Sequence, residues 1–147
     1  MEARLSRPMI ARVRAHFALE WRGAHGVAHW TRVRLNGLRL AEQTCASRRV
    51  VSLFALLHDS CRLNDYTDER HGHRAAVFVD ELRDEKLISI GDEESELLRF
   101  ACRHHSDGLL DSDVTIQTCW DADRLDLGRV GIRPDPKYLC TPAARNR

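Results

Sequence analysis

The chain has 147 residues, 43% hydrophobic and 31% charged, with 23 basic against 22 acidic side chains and a formal net charge of +1. That length suits one folded domain with a core of its own, and the composition excludes a disordered chain. The balanced charge excludes a general electrostatic pull toward nucleic acid or an anionic membrane. No apolar run approaches the ~20 residues of a membrane span, and the opening "MEARLSRPMIARVRAHFALEW" is too charged for a signal peptide's apolar segment. The expected setting is therefore the cytoplasm, with a small-molecule partner and neither a membrane nor a nucleic acid. The five cysteines, Cys45, Cys61, Cys102, Cys119 and Cys140, are odd in number and contain no Cys-x-x-Cys pair. They read as reduced, mostly buried residues and not as a disulfide framework or a zinc ribbon.

Helical periodicity runs through the chain and strand alternation does not, which predicts an all-α fold of six to seven helices. In chain order the helices are expected at 7–21, 24–43, 47–61, 71–86, 92–105 and 112–127, with a further turn near 136–144. Asp92 is the expected N-cap of the fifth helix, and Asp111 or Ser112 of the sixth. Asn64 and Asp65 begin a turn. "RPDPKYLCTPAARNR" holds three of the four prolines and reads as an irregular tail. The expected organisation is one domain over 1–147. It comprises an N-terminal helix within 1–22, a core over 24–127 carrying the chemistry, and an irregular segment over 128–147.

Several of these helices carry an ionisable residue on their apolar face. His29 lies in register with Val33, Asn36 and Leu40. Val50, Phe54 and His58 form one row at four-residue steps, with Asp59 beside His58 at the end of "VVSLFALLHDSCR". Ile116, Trp120, Asp123 and Leu127 share a stripe. A titratable group on an apolar face must be paired, neutralised or bound to metal. A lone histidine there is ordinarily a hydrogen-bonded core residue, but three helices each offering one is a different pattern. Imidazole with carboxylate suits Mn, Fe, Ni or Zn better than Ca.

The order His29, His58-Asp59, Asp123 resembles the HD-domain superfamily, all-helical metal-dependent phosphohydrolases with a His, a His-Asp doublet and a distant Asp. The likeness extends from about Ala24 to Thr141. It is strongest in "HWTRVRLNG" and "CWDADRLDLGRVGI", and is closest to small stand-alone bacterial members. It implies a single HD-type helical bundle in which His29, His58, Asp59 and Asp123 bind a divalent ion. The settings of His71 in "DERHGHRAAVF" and His105 in "ACRHHSDG" resemble segments that supply extra histidines for a second ion or the substrate phosphate. Helical spacing alone leaves His104 and His105 undistinguished; the resemblance selects His105. It likewise selects Asp123 over Asp121 and Asp126, which become partners for a ligand histidine or for Arg124 and Arg129. Arg62 stands where many relatives carry Lys or Arg and is the expected phosphate-binding residue; Arg133 and Lys137 are weaker candidates. His25 is expected to support His29, and His73 and His16 to be structural or solvent-facing.

The function so implied is hydrolysis of a nucleotide or other phosphate ester by metal-activated water. One or two ions of Mn, Fe, Ni, Mg, Co or Zn would serve, with Asp59, His71 and His105 as catalytic residues. Two other classes stay open on the sequence: an HD-type diiron oxygenase, and a non-catalytic, metal-stabilised binding module. No glycine-rich phosphate loop supports a P-loop or Rossmann reading.

Overall fold

The computed structural model describes residues 5–147 and is all-α, with no strand among the described residues. The helices are α1 (Arg7–His16), α2 (Val27–Thr44), α3 (Arg48–Leu57), α4 (His71–Asp84), α5 (Asp92–His104), α6 (Val114–Arg124) and the short α7 (Pro142–Arg145). Two 3₁₀ turns, Leu127–Val130 and Pro136–Tyr138, fill the interval before α7.

Helix α3 is the centre. Every residue from Val50 to Leu57 is buried, as an apolar helix without a polar face must be. Around it α2, α5 and α6 pack directly, α2 also packs on α6, and α4 lies against α5. Two glycines permit the closest approaches. A Cβ on Gly37 would collide with Val51 Cγ1, so α2 and α3 touch there backbone to side chain. A Cβ on Gly72 would stand 2.5 Å from the Cys102 carbonyl oxygen and 2.7 Å from that of Arg103. Gly72 therefore lets the first turn of α4 press on the last turn of α5. Among the described residues no helix is long and apolar enough to cross a membrane.

Helix boundaries differ from expectation for identifiable reasons. Helix α1 stops at His16, not at 21, because Phe17 and Trp21 leave the helix to pack edge-on against Trp30, at centroid distances of 5.0 and 5.3 Å. Helix α2 accordingly begins at Val27, not at 24. Helix α3 ends at Leu57, whose carbonyl accepts both the backbone N–H (3.1 Å) and the hydroxyl (2.7 Å) of Ser60. The His58-Asp59 doublet thus lies in the turn after the helix. Asp92 does not cap α5: Gly91 takes that position, and the Asp92 carboxylate receives Arg83 at 3.1 Å. Asp113, not Asp111 or Ser112, caps α6 through the N–H of Thr115. The C-terminal segment is more ordered than an irregular tail. The buried Asp121 carboxylate accepts the N–H groups of Cys140 (2.6 Å) and Thr141 (2.8 Å) and the Thr141 hydroxyl (2.7 Å). Leu139 and Ala144 then cover Leu40.

A candidate metal centre at the helix ends

Five helix ends deliver the six residues singled out in the sequence. His29 comes from the first turn of α2 and His58 and Asp59 from the turn closing α3. His71 is the first residue of α4, His105 follows the last turn of α5, and Asp123 sits in the last turn of α6. His29, His58, Asp59, His71 and His105 are all buried.

Each imidazole is held by its Nδ1 and aims its Nε2 inward. His29 Nδ1 donates to Asp126 Oδ2 at 2.7 Å and His58 Nδ1 to the Phe54 carbonyl at 3.0 Å. His105 Nδ1 donates to the Cys102 carbonyl at 2.6 Å, and His71 Nδ1 to the Asp68 carbonyl. With the proton fixed on Nδ1, every Nε2 presents a lone pair to the centre. The four lone pairs meet in two couples: His29 with His58 at 3.1 Å, and His71 with His105 at 2.9 Å. Asp59 lies between the couples. Its Oδ2 is 3.4 Å from both Nε2 atoms of the first, and its Oδ1 is 3.3 Å from both of the second. Asp123 Oδ1 joins the first couple alone, at 3.1 and 3.4 Å.

Facing lone pairs repel unless a proton or a cation lies between them. Without a cation the protein takes up protons. Burial opposes a charge on His58, but the carboxylates of Asp59 and Asp123 outweigh it and lift its pKa from 6.5 to about 10. His29 is raised by the same carboxylates against the same burial. In return, against their own burial, His58 and its neighbouring imidazoles hold Asp59 and Asp123 well below the usual carboxylate range.

The donor set fits a divalent ion on three counts. His29, His58 and Asp59 place one donor atom each within 4.8 Å of one another, and so do Asp59, His71 and His105. Two nitrogens bound to one ion at about 2.1 Å lie about 3.0–3.4 Å apart at octahedral to tetrahedral angles, which matches the first couple. Asp123 Oδ1 is buried yet accepts no hydrogen bond, an orphaned anionic atom that a cation would satisfy.

The surrounding candidates sort as follows. Asp126 holds His29 and also accepts Arg32 at 2.7 Å, so it is the partner of a cluster histidine, one of the roles the sequence offered for it. Asp121 is not; it anchors the C-terminal segment. His105 enters the cluster and His104 turns outward to Asp107, 2.6 Å away. Arg62 reaches Asp59 Oδ1 at 3.4 Å while its Nη1 donates to the carbonyls of Asn64 and Tyr66. Asn64 opens the expected turn by accepting the N–H of Tyr66. Arg133 and Lys137 lie on the exposed C-terminal stretch, Lys137 over the ring of Tyr138. His16 stacks on Phe78, a structural place. His25 differs from expectation: it lies outside α2 and bonds Asp65, not a residue of the cluster. That Asp65 contact, across forty positions, left no signal in the sequence.

No protein-family model matches the sequence, and no curated protein does. Among solved structures the chain is similar to a "predicted HD superfamily hydrolase" from an uncultured Thermotogales bacterium. The TM-score is 0.71 at 25% identity, over 95% of this chain and 80% of that one.

Proposed function

We propose that this chain, whose fold is that of the HD-domain superfamily, is a metal-dependent phosphohydrolase acting on a nucleotide or another phosphate ester. One observation carries the reading: the Asp59 carboxylate turns one oxygen to each of two imidazole couples. A carboxylate so shared suits two cations a few ångströms apart, which is the arrangement that clamps a phosphoryl group.

His29, His58, Asp59 and Asp123 would hold one ion, and Asp59, His71 and His105 a second. Ions bound there would supply a Lewis acid and a water of lowered pKa. The protein's own part is to fix the imidazoles through their Nδ1 partners and to keep bulk water from the buried donors. Arg62 would bind a phosphate oxygen at the rim of the same site, its guanidinium already oriented by Asp59 and two loop carbonyls.

The test is metal analysis of the purified protein followed by turnover of nucleotides and phosphate esters with Mn, Co, Ni, Mg, Zn and Fe. Phosphate release under nitrogen with a redox-inert ion is the expected result. Oxygen consumption by the iron form, with no phosphate released from any ester, would move the site to oxidation chemistry.

A further inference from the structure

Helices α4 and α5 turn a stripe of charged and apolar side chains away from the core. The two helices run antiparallel, since Gly72 at the start of α4 lies against the carbonyls of Cys102 and Arg103 at the end of α5. Arg70, His73, Val77, Asp80 and Asp84 follow one another at three- and four-residue steps along α4, and Glu93, Glu96, Phe100 and Arg103 do so along α5. An open groove of about 430 Å³ lies between the two rows and is lined by members of both. Two large apolar side chains stand midway along it, Val77 at 59% and Phe100 at 42% exposure.

The charges along the stripe are sorted by end. At one end Arg70 and Arg103 have no side-chain partner among the described residues, and Asp107, which follows α5, is engaged with His104 at 2.6 Å. At the other end stand Asp80, Asp84, Glu93 and Glu96. Of the guanidiniums there, Arg99 bonds Asp80 at 2.7 Å and also Glu96, and Arg83 bonds Asp92 at 3.1 Å. Carboxylates remain in excess. The stripe therefore runs from basic through apolar to acidic.

We infer that this face joins two copies of the chain about a two-fold axis passing between Val77 and Phe100. A surface that is basic at one end and acidic at the other is its own complement when turned end for end. The end with Arg70 and Arg103 then meets the acidic end of the second copy, and the reverse, while the apolar centres meet each other. That is the form of an isologous contact, with the two helix pairs stacked as in a four-helix bundle. Helices of 14 and 13 residues are about 20 Å long, and packed about 8–10 Å apart they present a face about 20 Å on a side. Such a face is at the small end of specific interfaces, which bury roughly 800 Å² per partner. Exposed ion pairs add little to affinity, so the charges set the orientation of a dimer of modest, micromolar strength. The buried centre lies behind the same turns: His71 and His105 are enclosed, whereas Arg70 and Arg103 are exposed. Dimerisation leaves the donor atoms of the cluster untouched, so the inference stands whether or not the chain is a hydrolase.

The experiment is sedimentation of the full chain, 16.9 kDa per copy. Wild type should show a monomer–dimer equilibrium between about 1 and 100 µM, shifting toward monomer as salt rises from about 0.1 to 1 M. Val77→Glu sets two like charges at the axis and should weaken the dimer by about a hundredfold or more. Val77→Lys, of opposite sign, should weaken it as much. Val77 is exposed, so both variants should keep the wild-type far-ultraviolet circular dichroism. Charge reversal then tests the orientation. The double variant Arg70→Glu, Arg103→Glu should be monomeric, and so should Asp84→Arg, Glu96→Arg; mixed in equal amounts, the two should form a heterodimer of wild-type strength. A wild type monomeric throughout the range, a dimer indifferent to both Val77 substitutions, or a mixture of the charge-reversed variants that stays monomeric would overturn the inference.

Discussion

His29 and His58 meet over two carboxylates, Asp59 and Asp123, whereas His71 and His105 meet over Asp59 alone. The first couple is also the deeper, wholly enclosed against 2% and 6% exposure for His71 and His105. One of its imidazoles leans on a carboxylate, Asp126, while both imidazoles of the second lean on backbone carbonyls. A carboxylate behind an imidazole raises its basicity more than a carbonyl does. Arg62, finally, draws on the Asp59 oxygen that faces the second couple. Every difference favours a cation at the first couple. Under the proposed function, two sites of the same imidazole count would therefore differ in affinity through the charge around them, and the first should fill at the lower metal concentration.

The largest effect should come from the residue the couples share. Asp59→Ala removes an oxygen and a negative charge from both, so both ions should be lost from the purified protein. Elemental analysis showing one ion retained would mean that the couples are independent. Asp123→Asn and His105→Gln should separate them. Asp123→Asn should cost the tighter ion and leave the weaker, and His105→Gln the reverse, as read in stepwise metal titrations. If His71→Ala and His105→Ala both keep wild-type stoichiometry and activity, the second couple is structural.

The sequence carried this centre more fully than it carried the fold around it. Six residues on helical faces, together with the HD-like order, named the six side chains that converge. Periodicity flagged His29, His58 and Asp123 because inward-facing polar residues are costly and hence conspicuous, but it took the resemblance to choose His105 over His104. Helix ends were less legible. Phe17 continues a helical pattern but serves the Trp30 cluster, and Ser60 folds the α3 terminus back by two bonds to one carbonyl. Such choices depend on neighbours distant in the chain. The same holds for His25, whose spacing from His29 suggested a shared helix until Gly26 and the Trp21 turn placed it outside. Nothing local pairs it with Asp65.

Smaller effects sharpen the contrast from behind the ligands. Asp126→Asn replaces the carboxylate under His29 by an amide, and changes to such supports cost about 10–100-fold in metal affinity. The loss should fall on the tighter ion and leave the weaker unchanged. Proton competition gives a second measure. With its pKa raised from 6.5 to about 10, His58 is protonated in the metal-free protein at neutral pH. That charge stabilises the metal-free fold fully below about pH 6.5 and ceases to do so as pH rises through about 10. Cation binding must expel the proton, so affinity at the first couple should rise by up to about tenfold per pH unit near neutrality. Calorimetry in buffers of different ionisation enthalpy reads the released proton directly. Binding at the first couple without proton release would contradict the charged state assigned to His58.

The smallest effect concerns Arg62, which touches the cluster without being able to ligate it. Its Nε meets Asp59 Oδ1 at 3.4 Å, and a guanidinium has no lone pair to offer a cation. Arg62→Ala should therefore leave metal content at the wild-type level. A lost charged hydrogen bond costs about 1.5–3 kcal/mol, so KM for a phosphate ester should rise roughly tenfold or more. The same side chain also holds the carbonyls of Asn64 and Tyr66, on either side of Asp65. If the loop tether is its main work, Arg62→Ala should instead lower kcat and leave KM unchanged. A KM effect with kcat unchanged assigns Arg62 to the phosphate. A kcat effect with KM unchanged assigns it to the loop at 64–66. A variant unchanged in both constants would leave Arg62 with no part in the reaction.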